Sequence, residues 1–224
     1  RAFIVFYPDV AVPGARKAIE KLTEAALKEG LEKVVLLSGK GEQEAEACEQ
    51  IVVDSGLNYT LVRASWFNQN FSEGAFLEPV LAGQVALPMP DAEIPFVDAD
   101  DIADVVAKVL VDDNYNGQTI TVTGPRKMTW SEVVAAMANG IGKEIKYVPI
   151  TIDAFKGGMK AAGLPDSYVW LFGYLFEEVL GNPENQEVSD DVERVLGRKA
   201  TDFKDYVEKT KATGVWNQSV PQTF

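Results

Sequence analysis

The sequence contains no histidine and a single cysteine in 224 residues, and its 21 basic residues are outnumbered by 34 acidic ones, for a formal net charge of −13. Each shortage removes a class of function. Without imidazole there is no Ser-His-Asp triad, no histidine acid or base, and none of the usual His-containing zinc sites. Cys48 alone cannot form an intrachain disulfide, so nothing argues for an oxidising compartment. The acidic excess repels phosphate backbones and anionic lipid and leaves no basic stripe, so neither direct nucleic-acid binding nor membrane binding is expected. The sequence shows no signal-peptide pattern and no run of about 18 apolar residues. Its longest apolar stretch near the carboxyl end, Tyr168 to Leu180, is interrupted by Glu177 and Glu178. The expectation is a soluble, cytoplasmic protein. At 46% hydrophobic residues the chain can bury a sizeable core, as one domain or one domain with a cap.

What is present alternates between strand and helix patterns. Ala2 to Tyr7 is a continuous apolar run, so the sequence opens inside a sheet; Pro8, Pro13 and Gly14 break it. Ala15 to Glu29 has a helical apolar period and stops at Gly30. Lys33 to Leu37 is the next strand, with Ser38-Gly39-Lys40-Gly41 as its exit loop, and Glu42 to Ser55 the next helix, closed by Gly56. A third strand runs through Tyr59 to Val62. Strands spaced in this way by helices form parallel βαβ units. The spacing then predicts a helix over Asn70 to Leu81 and short strands at Gln84 to Leu87 and Glu93 to Val97. A helix over Asp101 to Val111 follows, capped by Asp98 or Asp100, then a strand over Gly117 to Thr123. Thr129-x-x-Glu132 is a capping box opening a helix to Asn139, Glu144 to Ile150 is one more strand, and the remainder reads as helical. The fold class is α/β, a doubly wound parallel sheet, with residues 1–125 as sheet core and 126–224 as a mostly helical cap.

The stretch Asn58 to Gly74 concentrates the candidate chemistry, because it delivers an aromatic, amide-rich turn from a buried strand to the carboxyl edge of the sheet, where open α/β sheets hold ligands. Trp66 and Phe67 are either core plugs or an apolar pocket wall, and wall is the reading adopted, since loops after parallel strands carry function. Asn68 and Asn70 offer amides to a ligand, or Asn68 caps the following helix. Ser38, leaving the second strand, is either a hydroxyl for a ligand or a small loop residue capping the next helix. Tyr7 at the same edge is either a weak acid facing the pocket or an aromatic packed under the Pro8 turn. Lys40 and Glu42 are read as solvated charges. Asp98, Asp100, Asp101 and Asp104 match metal ligands only by count; caps and a solvated helix face are the expectation, and no metal site is assigned. Cys48 is read as a small core residue.

Several short segments carry a resemblance when taken in order. They are Leu36-Leu37-Ser38-Gly39, Ser55 to Arg63, Trp66-Phe67-Asn68-Gln69-Asn70-Phe71, Pro95 to Ala103 and Thr123-Gly124-Pro125, followed by Gly197-Arg198 and Asp202-Phe203. In this register the chain resembles the NmrA-like branch of the atypical short-chain dehydrogenases. The resemblance implies a Rossmann-like core binding NADP or NAD, with NADP preferred, in a monomer or homodimer acting on a small molecule. It places the nicotinamide end near Tyr7, Pro8, Ser38, Gly39, Ala64 and Ser65, and the substrate near Trp66, Phe67, Asn68 and Asn70. Cap residues Phe155, Tyr168, Trp170 and Phe172 are expected to close over it. Two departures stand out. The sequence has no G-x-x-G-x-x-G loop, so if Ala2 to Tyr7 is the family's fourth strand, the adenosine half of the site precedes Arg1. The family's Tyr-x-x-x-Lys pair would fall at Gly41 and Ala45, which cannot relay a proton. No catalytic residue is therefore assigned beyond the candidates Ser38 and Tyr7. The expected function is an NAD(P)H-dependent oxidoreductase for a quinone, enone or imine. Its alternatives are a non-catalytic NAD(P) sensor or a non-redox isomerase or cyclase in the same pocket.

Overall fold

The computed structural model describes residues 1–218. Its strands are β1 (Ala2–Ile4), β2 (Lys33–Gly39), β3 (Asn58–Ala64), β4 (Gln84–Leu87), β5 (Gln118–Val122) and β6 (Lys146–Pro149). Its α-helices are α1 (Ala15–Lys28), α2 (Gln43–Asp54), α3 (Leu77–Leu81), α4 (Ala99–Val111), α5 (Trp130–Ile141), α6 (Ile152–Ala161), α7 (Asp166–Tyr174), α8 (Asp191–Leu196) and α9 (Phe203–Lys211). The chain forms two compact, discontinuous units. The first comprises Arg1–Ser65, Asp100–Thr123 and Ser189–Lys199; the second comprises Trp66–Ala99, Gly124–Val188 and the described residues from Ala200 on.

The first unit is a parallel four-stranded sheet in the order β1-β2-β3-β5. Its two central strands are built from Val34, Val35, Leu36, Leu61 and Val62, all at most 4% exposed, as expected of parallel strands covered on both faces. Pairing runs from Lys33↔Asn58 to Gly39↔Ala64, so Ser38 and Gly39 end β2 and are not an exit loop. The reason is that β3 is equally long and continues the ladder to its own carboxyl end. At the sheet edge the apolar run Ala2 to Tyr7 gives only the three residues of β1, because one partner strand and the turn before Pro8 leave Val5 to Tyr7 without a ladder. Helix α1 turns Ala15, Ile19, Thr23 and Ala26 inward on one stripe. The buried Thr23 hydroxyl is satisfied by the carbonyls of Ile19 and Glu20 at 3.0 and 2.9 Å.

The second unit pairs β4 with β6 in parallel and packs helices over an aromatic core. Trp130, fully buried, is its centre, with edge contacts to Trp66 and Phe96 at 5.3 Å and Phe76 at 5.9 Å between ring centroids. Such pairs add about 0.5–1.5 kcal/mol each beyond area burial. Trp216 Nε1 donates to the Phe71 carbonyl at 2.8 Å and Tyr206 to Ser72 Oγ at 2.8 Å, so the polar ends of both rings are met. The Thr129–Glu132 capping box forms as expected, each residue receiving the other's backbone N–H.

Two expected elements do not form in this unit. The helix predicted over Asn70 to Leu81 is a 3-10 turn, Asn68–Phe71, followed by the short α3. The amides of Ser72, Glu73 and Gly74 all converge on the Gln69 carbonyl, closing the turn where a helix would propagate. The strand predicted over Glu93 to Val97 reduces to two isolated bridges, Ile94↔Met128 and Phe67↔Val97, because Pro95 between them lacks the N–H that a ladder needs.

Candidate functional site

In the first unit, the carboxyl ends of the strands bring most of the expected cofactor residues together. Gly39 lies opposite Ala64, Lys40 N donates to the Ala64 carbonyl at 2.9 Å, and Ser65 N donates to the Val122 carbonyl at 3.0 Å. Ser38 sits one residue before Gly39, 5% exposed, and its hydroxyl has no hydrogen-bond partner. A buried hydroxyl without a partner costs about 1–3 kcal/mol, so the bland role of helix capping does not account for it. Tyr7 is 81% exposed, and so is not an aromatic packed under the turn. Pro8 is half-buried beside it.

The sequence reading of Glu42 as a solvated charge is overturned. Glu42 is 6% exposed, and its carboxyl lies directly over the α-carbon of Gly39, in space that a β-carbon at 39 would occupy. Burial, the charge of Asp9, a hydrogen bond with Asp9 and the charge of Glu49 hold the Glu42 carboxyl well above the usual carboxylate range. Asp9 is raised by burial, against which the Ala11 amide, bonded to Oδ1 at 2.8 Å, and the bond from Glu42 act. Two hydrogen-bonded carboxyls cannot both ionise at little cost, so the pair as a whole resists losing its last proton. The second oxygen of Glu42 has no partner. Neighbouring acids are treated differently: Glu49, 3% exposed, is clasped by Arg63 at 2.5–3.1 Å, and Glu46 takes the other side of that guanidinium at 3.2 Å. Cys48 is the expected core residue, fully buried, with its thiol on the Val10 carbonyl and pushed up by burial to about 11.

In the second unit lie the residues expected on the substrate side. The Trp66 ring, half-buried, packs against Phe76, Trp130 and Phe176. Phe67 is half-buried and its backbone bridges Val97, and Asn70 packs against Gly74. Asn68 is fully buried; its backbone N–H goes to the Val97 carbonyl at 2.8 Å, but both atoms of its side-chain amide are without partners. Of the cap aromatics, Phe155 and Phe172 meet edge to face at 6.0 Å between centroids, whereas Trp170 is 40% exposed and stacks on Tyr174.

The acidic run around α4 also departs from expectation. Asp98 and Asp101 are fully buried, not part of a solvated face. Asp98 accepts from Gln69 at 2.7 Å and Lys209 at 3.0 Å, while Asp101 and Asp104 share Arg198. Among the described residues no group of three or more His, Cys, Asp or Glu is placed to hold a metal ion, and no helix is long and apolar enough to cross a membrane.

Sequence reasoning missed Asp9 and misjudged Glu42. One signal was available. Both follow adjacent parallel strands at the same edge, each just beyond a turn residue, Pro8 and Gly41.

Comparison with known proteins bears on this arrangement. The profile of the NmrA-like family matches residues 44–212. NAD(P)H azoreductase of Xenophilus azovorans is 30% identical over 162 residues, covering 71% of this chain and 55% of that protein. Prestalk A differentiation protein A of Dictyostelium discoideum is 24% identical over 212 residues, covering 94% and 69%. The chain thus spans between about half and two thirds of the length of these relatives. An NADPH-dependent quinone oxidoreductase of Escherichia coli, solved with NADPH, superposes with a TM-score of 0.76 at 19% identity, over 92% of this chain and 74% of that one. The fold is therefore Rossmann-like α/β, as the strand pattern indicated.

Proposed function

The chain belongs to the NmrA-like family, and from that premise we propose that it is an NAD(P)H-dependent oxidoreductase acting on a small apolar or conjugated molecule of quinone, enone or imine type. The observation that carries this reading is the unpartnered, buried Ser38 hydroxyl at the carboxyl end of a central parallel strand. Open α/β sheets bind ligands at that edge, and a hydroxyl there fits the carboxamide or ribose of a nicotinamide nucleotide. The named activities of an azoreductase and a quinone oxidoreductase among similar proteins support the same chemistry. NADP is favoured over NAD.

In this reading Ser38, Gly39, Ala64 and Ser65 hold the nicotinamide end, with Tyr7 and Pro8 beside it. The cofactor supplies a hydride. Trp66 and Phe67 exclude water from the acceptor, and Asn68 and Asn70 orient it, the orphaned amide of Asn68 gaining most from a polar ligand group. Hydride transfer requires proximity in a dry site more than a dedicated relay. The expected result is that NADPH fluorescence shifts on titration with the protein at micromolar affinity, and that Phe67→Ala weakens turnover more than cofactor binding. Absence of binding by both NADPH and NADH would sink the proposal.

A second reading is favoured by one observation, that Gly41 and Ala45 stand where a Tyr-x-x-x-Lys pair would fall. It is a nucleotide sensor without turnover. Binding without NADPH consumption across quinones, enones and imines would support it, and steady consumption with any of them would end it.

A further inference from the structure

We infer that the Asp9–Glu42 pair is a binding element for positive charge at the cofactor end, selecting the oxidised, cationic nicotinamide ring over the neutral reduced ring and giving up its proton as that cation arrives. The inference rests on the nucleotide-binding reading above. Its geometry is confined to the first unit. Gly39 lacks the β-carbon that would exclude the Glu42 carboxyl, and so the carboxyl is seated on the backbone of one of the residues assigned to nicotinamide. Glu42 is more than nine-tenths buried with one oxygen unpartnered.

The charges that act on the Glu42 carboxyl, those of Asp9 and Glu49, are both negative. From the loop after β1 the facing group is Asp9; from α2 it is Glu49, whose charge is taken up by Arg63 of β3. Arg16 of α1 is engaged by Glu44 at 2.6 Å, and Glu46 by Arg63. Lys40 is in the same loop, half-buried, and its backbone N–H is bonded to the Ala64 carbonyl. Two carboxyls with one proton carry one net negative charge in a poorly hydrated place. A nearby positive ring lowers the cost of the second ionisation, so ring charge and proton occupancy are linked. A neutral ring offers no such gain.

The test is the ratio of affinities for NADP+ and NADPH as a function of pH, measured by calorimetry. The nucleotide phosphates titrate in both forms and cancel in that ratio. The expected result is a ratio that rises with pH, by up to about tenfold per unit while the pair loses its proton. Proton release should accompany NADP+ binding only, seen as a dependence of the heat on buffer ionisation. In Glu42→Gln and in Asp9→Asn, each checked for a cooperative unfolding transition, the ratio should be flat. Parallel pH dependence for the two forms, or a slope unchanged in both variants, would overturn this inference while leaving the oxidoreductase reading standing. If neither nucleotide binds, that reading falls and this one with it.

Discussion

Replacing Glu42 by glutamine should make the protein more stable at neutral pH than the wild type, and the size of the effect should depend on pH. In the unfolded chain the Glu42 carboxyl titrates near its ordinary value of 4.5; in the folded chain burial and Asp9 hold it well above that. Below the ordinary value both states keep the proton, and the residue contributes nothing to the balance. As pH rises past it the unfolded state ionises freely and the folded state does not. The wild type therefore loses about 1.4 kcal/mol per pH unit until the folded pair gives up its proton. The loss accumulates for as long as the folded pair keeps that proton. The substituted glutamine has the same shape, can still donate to Asp9 from its amide, and does not titrate. Urea unfolding followed by circular dichroism between about pH 4 and pH 7 separates the possibilities. The variant should lie within about 1 kcal/mol of the wild type at the acid end, where only one hydrogen bond is altered, and gain steadily above it. A difference between the two proteins that is flat across this range, or that shrinks as pH rises, would refute the buried-proton argument.

Arg63→Met should destabilise by roughly 3–5 kcal/mol, because it strands the buried Glu49 carboxylate without its cation. Adding Glu49→Gln to that variant should recover much of the loss in a double-mutant cycle, and no recovery would mean that the pair is not coupled. Cys48 should resist thiol reagents in the native protein and react only at the rate of unfolding, since the thiol is fully buried and burial pushes it to about 11. Rapid labelling under native conditions would contradict the packing around Val10. Thr129→Ala should cost about 1 kcal/mol through loss of the α5 capping box, and an unchanged denaturation midpoint would show that the cap contributes nothing.

The parts of the fold that the sequence made legible are those in which one local pattern decides the outcome. The helical span of α1, the β-branched run of β2 and β3, and the Thr129–Glu132 box are each contained within a few residues, and each element forms, although Leu22 and Leu27 of the α1 apolar pattern stay exposed. Where the reading failed, distant partners decided. Asn70 to Leu81 has helical periodicity, but the Gln69 carbonyl gathers three amides and its side chain is drawn to Asp98 and the Ala99 N–H. Asp98 and Asp101 look like a solvated helix face until Lys209 and Arg198 arrive from far along the chain. Those cations could be counted in the sequence but not assigned.

The carboxyl pair shows the same limit at the point where it bears on function. Glu42 stands among Lys40, Glu44 and Glu46 in a run whose local composition favours a hydrated surface. What removes it from water is a neighbour that is nothing special locally, Asp9, in the loop after the adjacent strand, together with a missing β-carbon at Gly39. Parallel strands make such encounters systematic, because loops that follow neighbouring strands emerge at one edge whatever their separation in sequence. An acid a few residues past the end of one strand is thus a candidate partner for an acid a few residues past the end of the next. By that rule Asp9 and Glu42 form a pair that can be proposed before any coordinates are known. The unpartnered Ser38 hydroxyl then marks the end of β2 as a place that still has hydrogen-bonding capacity to offer a ligand.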